Sequence, residues 1–312
     1  MFAKISRYLL GGLSCPLGFL FLLFNGGCAQ PPRREPSPQQ PQADSIVGRV
    51  DVYPDFRSRH IRSRNVEVWL PDSYDPAKPH AVLYMNDGQN AFNPATSYVG
   101  VDWGIDEALD SLLAQGLVRD AIVVGIWNTD DRLSEYMPQK PDPAIRRVAS
   151  GPLFFDLEKP VNSDDYLRFI VEELKPFVDS AYNTLPGPES TFIMGSSMGG
   201  LISIYALCEY PEVFGGAACV STHWPADGGR FIREYLPGKL PEPGTRKLYF
   251  DHGDQTTDSL YGPFQQEVDA LLSGKGSEQG PFWTTRVFPG EDHSERAWRD
   301  RVEQPLRFLL GP

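Results

Sequence analysis

With 312 residues, of which 41% are hydrophobic and 12% aromatic, the chain has enough apolar material for a sizeable core, which excludes global disorder. Lys and Arg number 29 against 41 Asp and Glu, a formal charge of −12. There is no basic footprint at the level of the whole chain, so nucleic acid is not an expected partner.

In chain order, Lys4 and Arg7 precede an uncharged stretch from Tyr8 to Pro32 whose centre, Leu17 to Phe24, is almost wholly Leu and Phe. A basic segment followed by an apolar one is the pattern of an export signal, so residues 1–27 are expected to be a signal peptide directing the protein to a bacterial periplasm or cell surface. The stretch ends in Asn25-Gly26-Gly27-Cys28. Two small residues before a cysteine resemble a lipobox, which implies cleavage before Cys28, acylation of its thiol and a lipid anchor in the membrane. An ordinary signal peptide and an uncleaved anchor are the alternatives. Residues 28–44 are rich in Pro and Gln and offer nothing to bury, as suits a semi-extended tether. Without the two positive charges of residues 1–27 the remainder carries −14. Beyond the tether only Cys208 and Cys219 occur. Their apolar neighbours suggest buried thiols rather than a disulfide scaffold, with one bridge between them left open.

Residues 45–312 read as one domain without repeats. Val47 to Tyr53 and Asn65 to Leu70 have strand character, the latter with an alternation expected of an edge or antiparallel position. Short β-branched or apolar runs follow at Ala81–Met85, Ala121–Trp127, Thr191–Met194, Gly216–Val220 and Lys247–Phe250, with a weaker one at Thr285–Phe288. Between them lie helical patterns. Ser163 to Tyr182 repeats apolar residues at i, i+3, i+4, with Ser163 as N-cap and a kink expected at Pro176. Trp103–Leu113, Gly199–Leu207, Phe264–Leu272 and Glu295–Leu309 complete the set. Alternating strands and helices imply an α/β fold, a mostly parallel central sheet with helices on both faces, whose ligands collect at the carboxyl ends of the strands.

The run Thr191–Met194 leads into Gly195-Ser196-Ser197-Met198-Gly199-Gly200 and then a helix, which is G-x-S-x-G at a strand-to-helix elbow. Ser197 is therefore the candidate nucleophile, and it needs an imidazole to take its proton. On such a sheet the order is Ser, then Asp or Glu, then His. His60 and His80 precede Ser197, while His223 and His252 leave too little chain for the acid, so His293 remains as the base. The acid belongs in the loop after Lys247–Phe250, where both Asp254 and Asp258 lie. Two backbone N–H groups should form an oxyanion hole. One is that of Met198, and the other lies in Gly88 to Gln89, where the glycine would let the backbone approach a substrate oxygen. At the strand ends Trp127-Asn128 and His223-Trp224 are expected to flank Ser197, with Arg132, Glu135 and Tyr136 following Asn128 in the same loop. The aromatics would stack on an aryl acid or sugar ring, and Arg132 would meet an anionic substituent. Neither H-E-x-x-H, C-x-x-C nor a P-loop occurs, so no metal or cofactor is expected.

Taken together, VEVWLPDSY, VLYMNDGQNAF, IVVGIWN, FIVEELKPFVD, GSSMGGLISIYAL, YPEVFGGAACVS and GEDHSERAW resemble the branch of the α/β hydrolases that holds enterochelin esterase-like, feruloyl and acetyl-xylan esterase domains. The resemblance spans residues 47–310 and implies the α/β-hydrolase fold and a metal-free Ser-His-Asp carboxylic ester hydrolase. The family pattern of Gly, Asp and then a Gln-bearing helix start implies Asp258 rather than Asp254 as the acid. Small-molecule or polysaccharide esters, carbohydrate-linked or aryl, are the expected substrates. A siderophore trilactone esterase, an acyltransferase to a sugar and a non-catalytic surface binding protein are the competing readings.

Overall fold

Eight strands form one sheet among the residues that the computed structural model describes, which are 46–142, 144–150 and 153–311. The expected signal peptide, Cys28 and the tether lie outside them. β1 (Arg49–Phe56), β2 (Arg64–Leu70), β3 (Ala81–Asn86), β4 (Ala121–Ile126), a separate hairpin β5 (Arg147–Ser150) and β6 (Leu153–Asp156), then β7 (Thr191–Ser196), β8 (Gly216–Val220), β9 (Lys247–His252) and β10 (Trp283–Val287) follow in chain order. The sheet runs β1-β2-β4-β3-β7-β8-β9-β10. Only the β1–β2 and β2–β4 pairs are antiparallel. Across the sheet from β4 to β10 the pairs are parallel, and all of these strands except the edge strand β10 are buried on both faces. β2 is antiparallel but is not the edge. β1 takes that place, and its Pro54, which cannot donate to a ladder, is tolerated there.

The helices are α1 (Ile105–Ala114), α2 (Arg132–Tyr136), α3 (Ser163–Arg168), α4 (Lys175–Ala181), α5 (Met198–Glu209), α6 (Tyr261–Gly274), α7 (Glu295–Arg301) and α8 (Glu303–Leu310). Alternate strand residues feed two cores. Val82 and Tyr84 of β3 pack with α3, α4 and α5, whereas Ala81, Leu83 and Met85 pack with α1, α7 and α8. Helix α5 is buried from Met198 to Cys208, which explains why its sequence is apolar all round.

Pro176 does not kink a single helix. The turn before it, Phe169–Leu174, widens to π-helical spacing between α3 and α4, which accommodates a residue with no N–H and a bulky ring. Ser163 is the first helical residue rather than the N-cap, and its hydroxyl accepts from the Gln139 amide at 2.9 Å. The expected last helix divides into α7 and α8 at Val302, three residues before Pro305. The hairpin β5–β6 and the helical turns at Trp224–Asp227, Phe231–Tyr235 and Leu236–Gly238 had no counterpart in the sequence reading. Cys208 and Cys219 are buried free thiols. No helix among the described residues is long and apolar enough to cross a membrane.

Candidate active site

The carboxyl ends of the central strands meet at Ser197, which joins β7 to α5 with φ 55° and ψ −120°, a conformation few non-glycine residues adopt. Its amide donates to the Val220 carbonyl at 2.9 Å, which ties the elbow to β8. The glycines around it serve close packing. A Cβ on Gly195 would stand 2.7 Å from the carbonyl carbon of Gly199, so a side chain there would push the helix off the strand.

Two loops far from it in sequence converge on this serine. His293, in the loop before α7, has Nε2 3.0 Å from Ser197 Oγ. Its Nδ1 is 2.6 Å from Asp258 Oδ1. Asp258 stands in the helical turn Thr256–Leu260 after β9 and is 1% exposed. Burial pushes its carboxyl up, but the His293 ring, the Ser221 hydroxyl and the Gly253 N–H outweigh this and hold it below the usual carboxylate range. Asp254 points elsewhere. It is exposed and accepts from the Gly290 amide at 2.8 Å and from Gln255, bracing the acid loop against the histidine loop. Trp298 and Tyr261 set their rings at 86° and 83° to His293, with centroids 4.9 and 5.7 Å away.

Ser197 and His293 open on a cleft of about 400 Å³ whose wall includes Gln89, Asn90, Asn128, Thr129, Arg132, Glu295 and the almost fully exposed Tyr98. Met198 heads α5, where its N–H is one of those that a helix leaves without an internal partner. Gln89 lines the cleft and accepts the Asn128 amide on Oε1 at 3.1 Å. A Cβ on Gly88 would lie 2.3 Å from the Gly125 carbonyl carbon, so the glycine lets the loop press against β4.

The flanking residues divide. Asn128 and Arg132 reach the cleft, yet both are bound to Asp87. Arg132 Nε and Nη2 grip its two oxygens at 2.7 and 2.8 Å, and Asn128 Nδ2 adds a third bond at 2.5 Å. The Arg132 charge, expected to meet a substrate anion, is thus matched within the protein. Trp224 is not at the cleft. It is 2% exposed, packs on Phe250 and donates its indole N–H to Gln265. His223 is also buried, with Nε2 donating to the Ala149 carbonyl and Nδ1 accepting from the Tyr261 hydroxyl at 2.7 Å. Burial lowers its pKa to about 4. Trp127 continues β4 and bonds to Asn65 through its amide, without a place in the cleft wall. Glu135, in the same segment, is buried in an ion pair with Arg64 at 2.5 Å.

Asp87, Ser221, Trp298 and Arg301 were given no role by sequence reasoning. Asp87 adopts φ 58° and donates its amide to the Tyr136 hydroxyl at 3.1 Å. The preceding Asn86 is saturated in the core between Tyr166, Met194 and Ser203. The only signal for Asp87 was its place next to the glycine of the loop after β3.

A family model described as "Putative esterase" matches residues 58–306. An uncharacterized Bacillus subtilis protein, YbbA, is 24% identical over 196 residues, which cover 62% of this chain and 69% of that protein. The crystal structure of the enterobactin esterase FES from Shigella flexneri superposes with a TM-score of 0.60 at 20% identity, covering 88% of this chain. This chain spans 61% of the length of that esterase. A ferulic acid esterase from Anaeromyces mucronatus, in complex with ferulic acid, gives a TM-score of 0.55 at 19% identity and covers 89% of this chain and 92% of its own. At these identities the structural likenesses establish the α/β-hydrolase fold.

Proposed function

The chain belongs to this esterase family, and from that premise we propose that it hydrolyses carboxylic esters through a serine nucleophile. The observation that carries the reading is the hydrogen-bonded line from Ser197 Oγ through His293 to Asp258, 3.0 and 2.6 Å long, opening on the cleft. His293 Nε2 accepts the Ser197 proton as Oγ attacks the ester carbonyl carbon, and the N–H of Met198 with those of the Gly88–Gln89 segment hold the oxygen that becomes negative. Collapse expels the alcohol, which takes its proton from His293. Water activated by the same imidazole then releases the acid and restores Ser197. Asp258 fixes the histidine tautomer and steadies the imidazolium.

For the substrate we propose neutral carbohydrate-linked or aryl esters. Amide side chains, a hydroxyl and the exposed Tyr98 ring in the cleft wall suit a hydroxylated or aromatic group. Arg132 is the one Lys or Arg of that wall among the described residues and is already matched by Asp87, which disfavours a strongly anionic ligand such as a ferric siderophore. We further propose that the protein is exported and anchored through a lipid on Cys28, for which the support is the N-terminal sequence pattern.

A panel of short p-nitrophenyl esters, methyl ferulate, acetylated xylan and a trilactone siderophore tests the reading, with acceptor sugars added to detect acyl transfer. Ser197→Ala is expected to lower kcat by about 10³ or more with an unchanged melting temperature. Turnover persisting in a pure, folded variant would refute the serine mechanism.

A further inference from the structure

Behind the His293–Asp258 pair stands a second serine. Ser221 follows the last residue of β8, is fully buried and has φ 41°. Its own amide is held by the main-chain and side-chain oxygens of Asp251 at 2.9 and 3.2 Å. Three polar groups surround its hydroxyl: the Trp298 indole Nε1 at 3.1 Å, Arg301 Nη2 at 2.8 Å and Asp258 Oδ2 at 2.6 Å.

Counting protons settles the direction of these bonds. An indole N–H and a guanidinium N–H only donate, so both point at the serine oxygen. The one hydroxyl proton of Ser221 is then left for Asp258 Oδ2. That oxygen also accepts the Gly253 N–H at 2.7 Å and has Arg301 3.9 Å away. With Oδ2 occupied, the carboxylate cannot rotate, and Oδ1 is the oxygen presented to His293. Trp298 joins the two halves, since its N–H aims Ser221 while its ring stands edge-on to the His293 imidazole. Arg301 also pairs with Asp251 at 3.1 Å, which keeps a second buried carboxylate from acting on Asp258 unopposed.

We infer that Ser221 is a positioning residue for Asp258, its hydroxyl oriented by Trp298 and Arg301 so that one carboxylate oxygen faces the histidine. The inference rests on the serine-esterase reading for its kinetic consequence, though the geometry it describes stands without it. Ser221 touches no substrate, so its loss should appear in kcat and not in KM.

Ser221→Ala and Ser221→Gly both remove the hydroxyl, and the glycine also relieves the positive φ, so it keeps the fold even where alanine does not. The expected result is a fall in kcat of about 10- to 100-fold in each, the range for a hydrogen bond to a charged group, with KM within about twofold of the parent. In an Asp258→Asn background the same substitutions should add less than about twofold, because a residue acting only through Asp258 has nothing left to position. In the NMR spectrum the deshielded proton between His293 Nδ1 and Asp258 should shift or broaden in Ser221→Gly. Full kcat in Ser221→Gly, or a loss that multiplies with that of Asp258→Asn, overturns the role. Were the parent protein to hydrolyse no ester, the esterase reading would fall. The Nδ1 resonance would then decide the positioning role alone, and an unchanged resonance would overturn it.

Discussion

Two aspartates four residues apart in one loop do different things, and the difference lies in where the loop turns. Asp254 stays at the surface, accepting the Gly290 amide, while Asp258 is carried inward by the helical turn Thr256–Leu260 and meets His293. Residue types alone left both open, since Asp is common in any turn. The family pattern favoured the inner one, whose contacts are those a triad acid needs. Asp258→Asn is expected to cost up to about 10⁴ in kcat, because the amide can stabilise the wrong tautomer of His293. Asp254→Asn should keep most of the activity. Measured side by side, a reversed pattern would assign the acid to Asp254. Ser197 and His293 were legible for different reasons, the first from its elbow and the second by elimination among five histidines. The grip of Arg132 on Asp87, 45 residues away, was not legible, because no local spacing encodes a contact that forms only when two strand ends are brought side by side.

At the level of elements, the inner strands β3, β4, β7, β8 and β9 each announce themselves as a short apolar run because they are covered on both faces, whereas the edge strand β10 is half exposed and gave a weaker signal. The hairpin β5–β6 has no such cover and left no comparable signal. It is tied to the rest of the domain through His223, whose Nε2 donates to the Ala149 carbonyl while the ring leans on Tyr261 of α6. Desolvation is the main cause that lowers this imidazole to about 4, with nearby His293 and Arg132 adding to it, so the folded state prefers it neutral. The unfolded chain, with an ordinary histidine near 6.5, binds more protons between these values. Stability is therefore full above about pH 6.5, is lost as the pH falls towards 4, and levels below it. The total for this one group is about 3 kcal/mol at most. Asp258, held below the ordinary carboxylate range, titrates beneath that window and does not confuse it. Urea unfolding of the parent and of His223→Gln from pH 7 to pH 4 should show a steeper decline in the parent. Parallel declines would mean that His223 is not the group being titrated.

For the molecule as a whole, the alternation of strands and helices was enough to foresee the parallel sheet, its two covered faces and the end at which the site lies. The order of strands and the lining of the cleft were not foreseeable, since they depend on which side chains face one another after the chain has crossed the sheet several times. One global property passes directly from sequence to function. The chain carries a formal charge of −12, and among the described residues the cleft adds no free cation to oppose it, because Arg132 is gripped by Asp87 and Glu295 stands nearby. An anionic substrate should then be repelled on approach, and the repulsion should weaken as salt shortens the screening length from about 30 Å near 0.01 M to about 8 Å near 0.15 M. For p-nitrophenyl hydrogen succinate, kcat/KM is expected to rise by a few-fold over that range, whereas neutral p-nitrophenyl acetate should change little. The comparison separates the whole-molecule field from any general effect of salt on turnover, which both esters share. A fall in kcat/KM for the succinate ester as salt is added would show that a cation in the cleft is free to attract it, and the first candidate would be Arg132 released from Asp87.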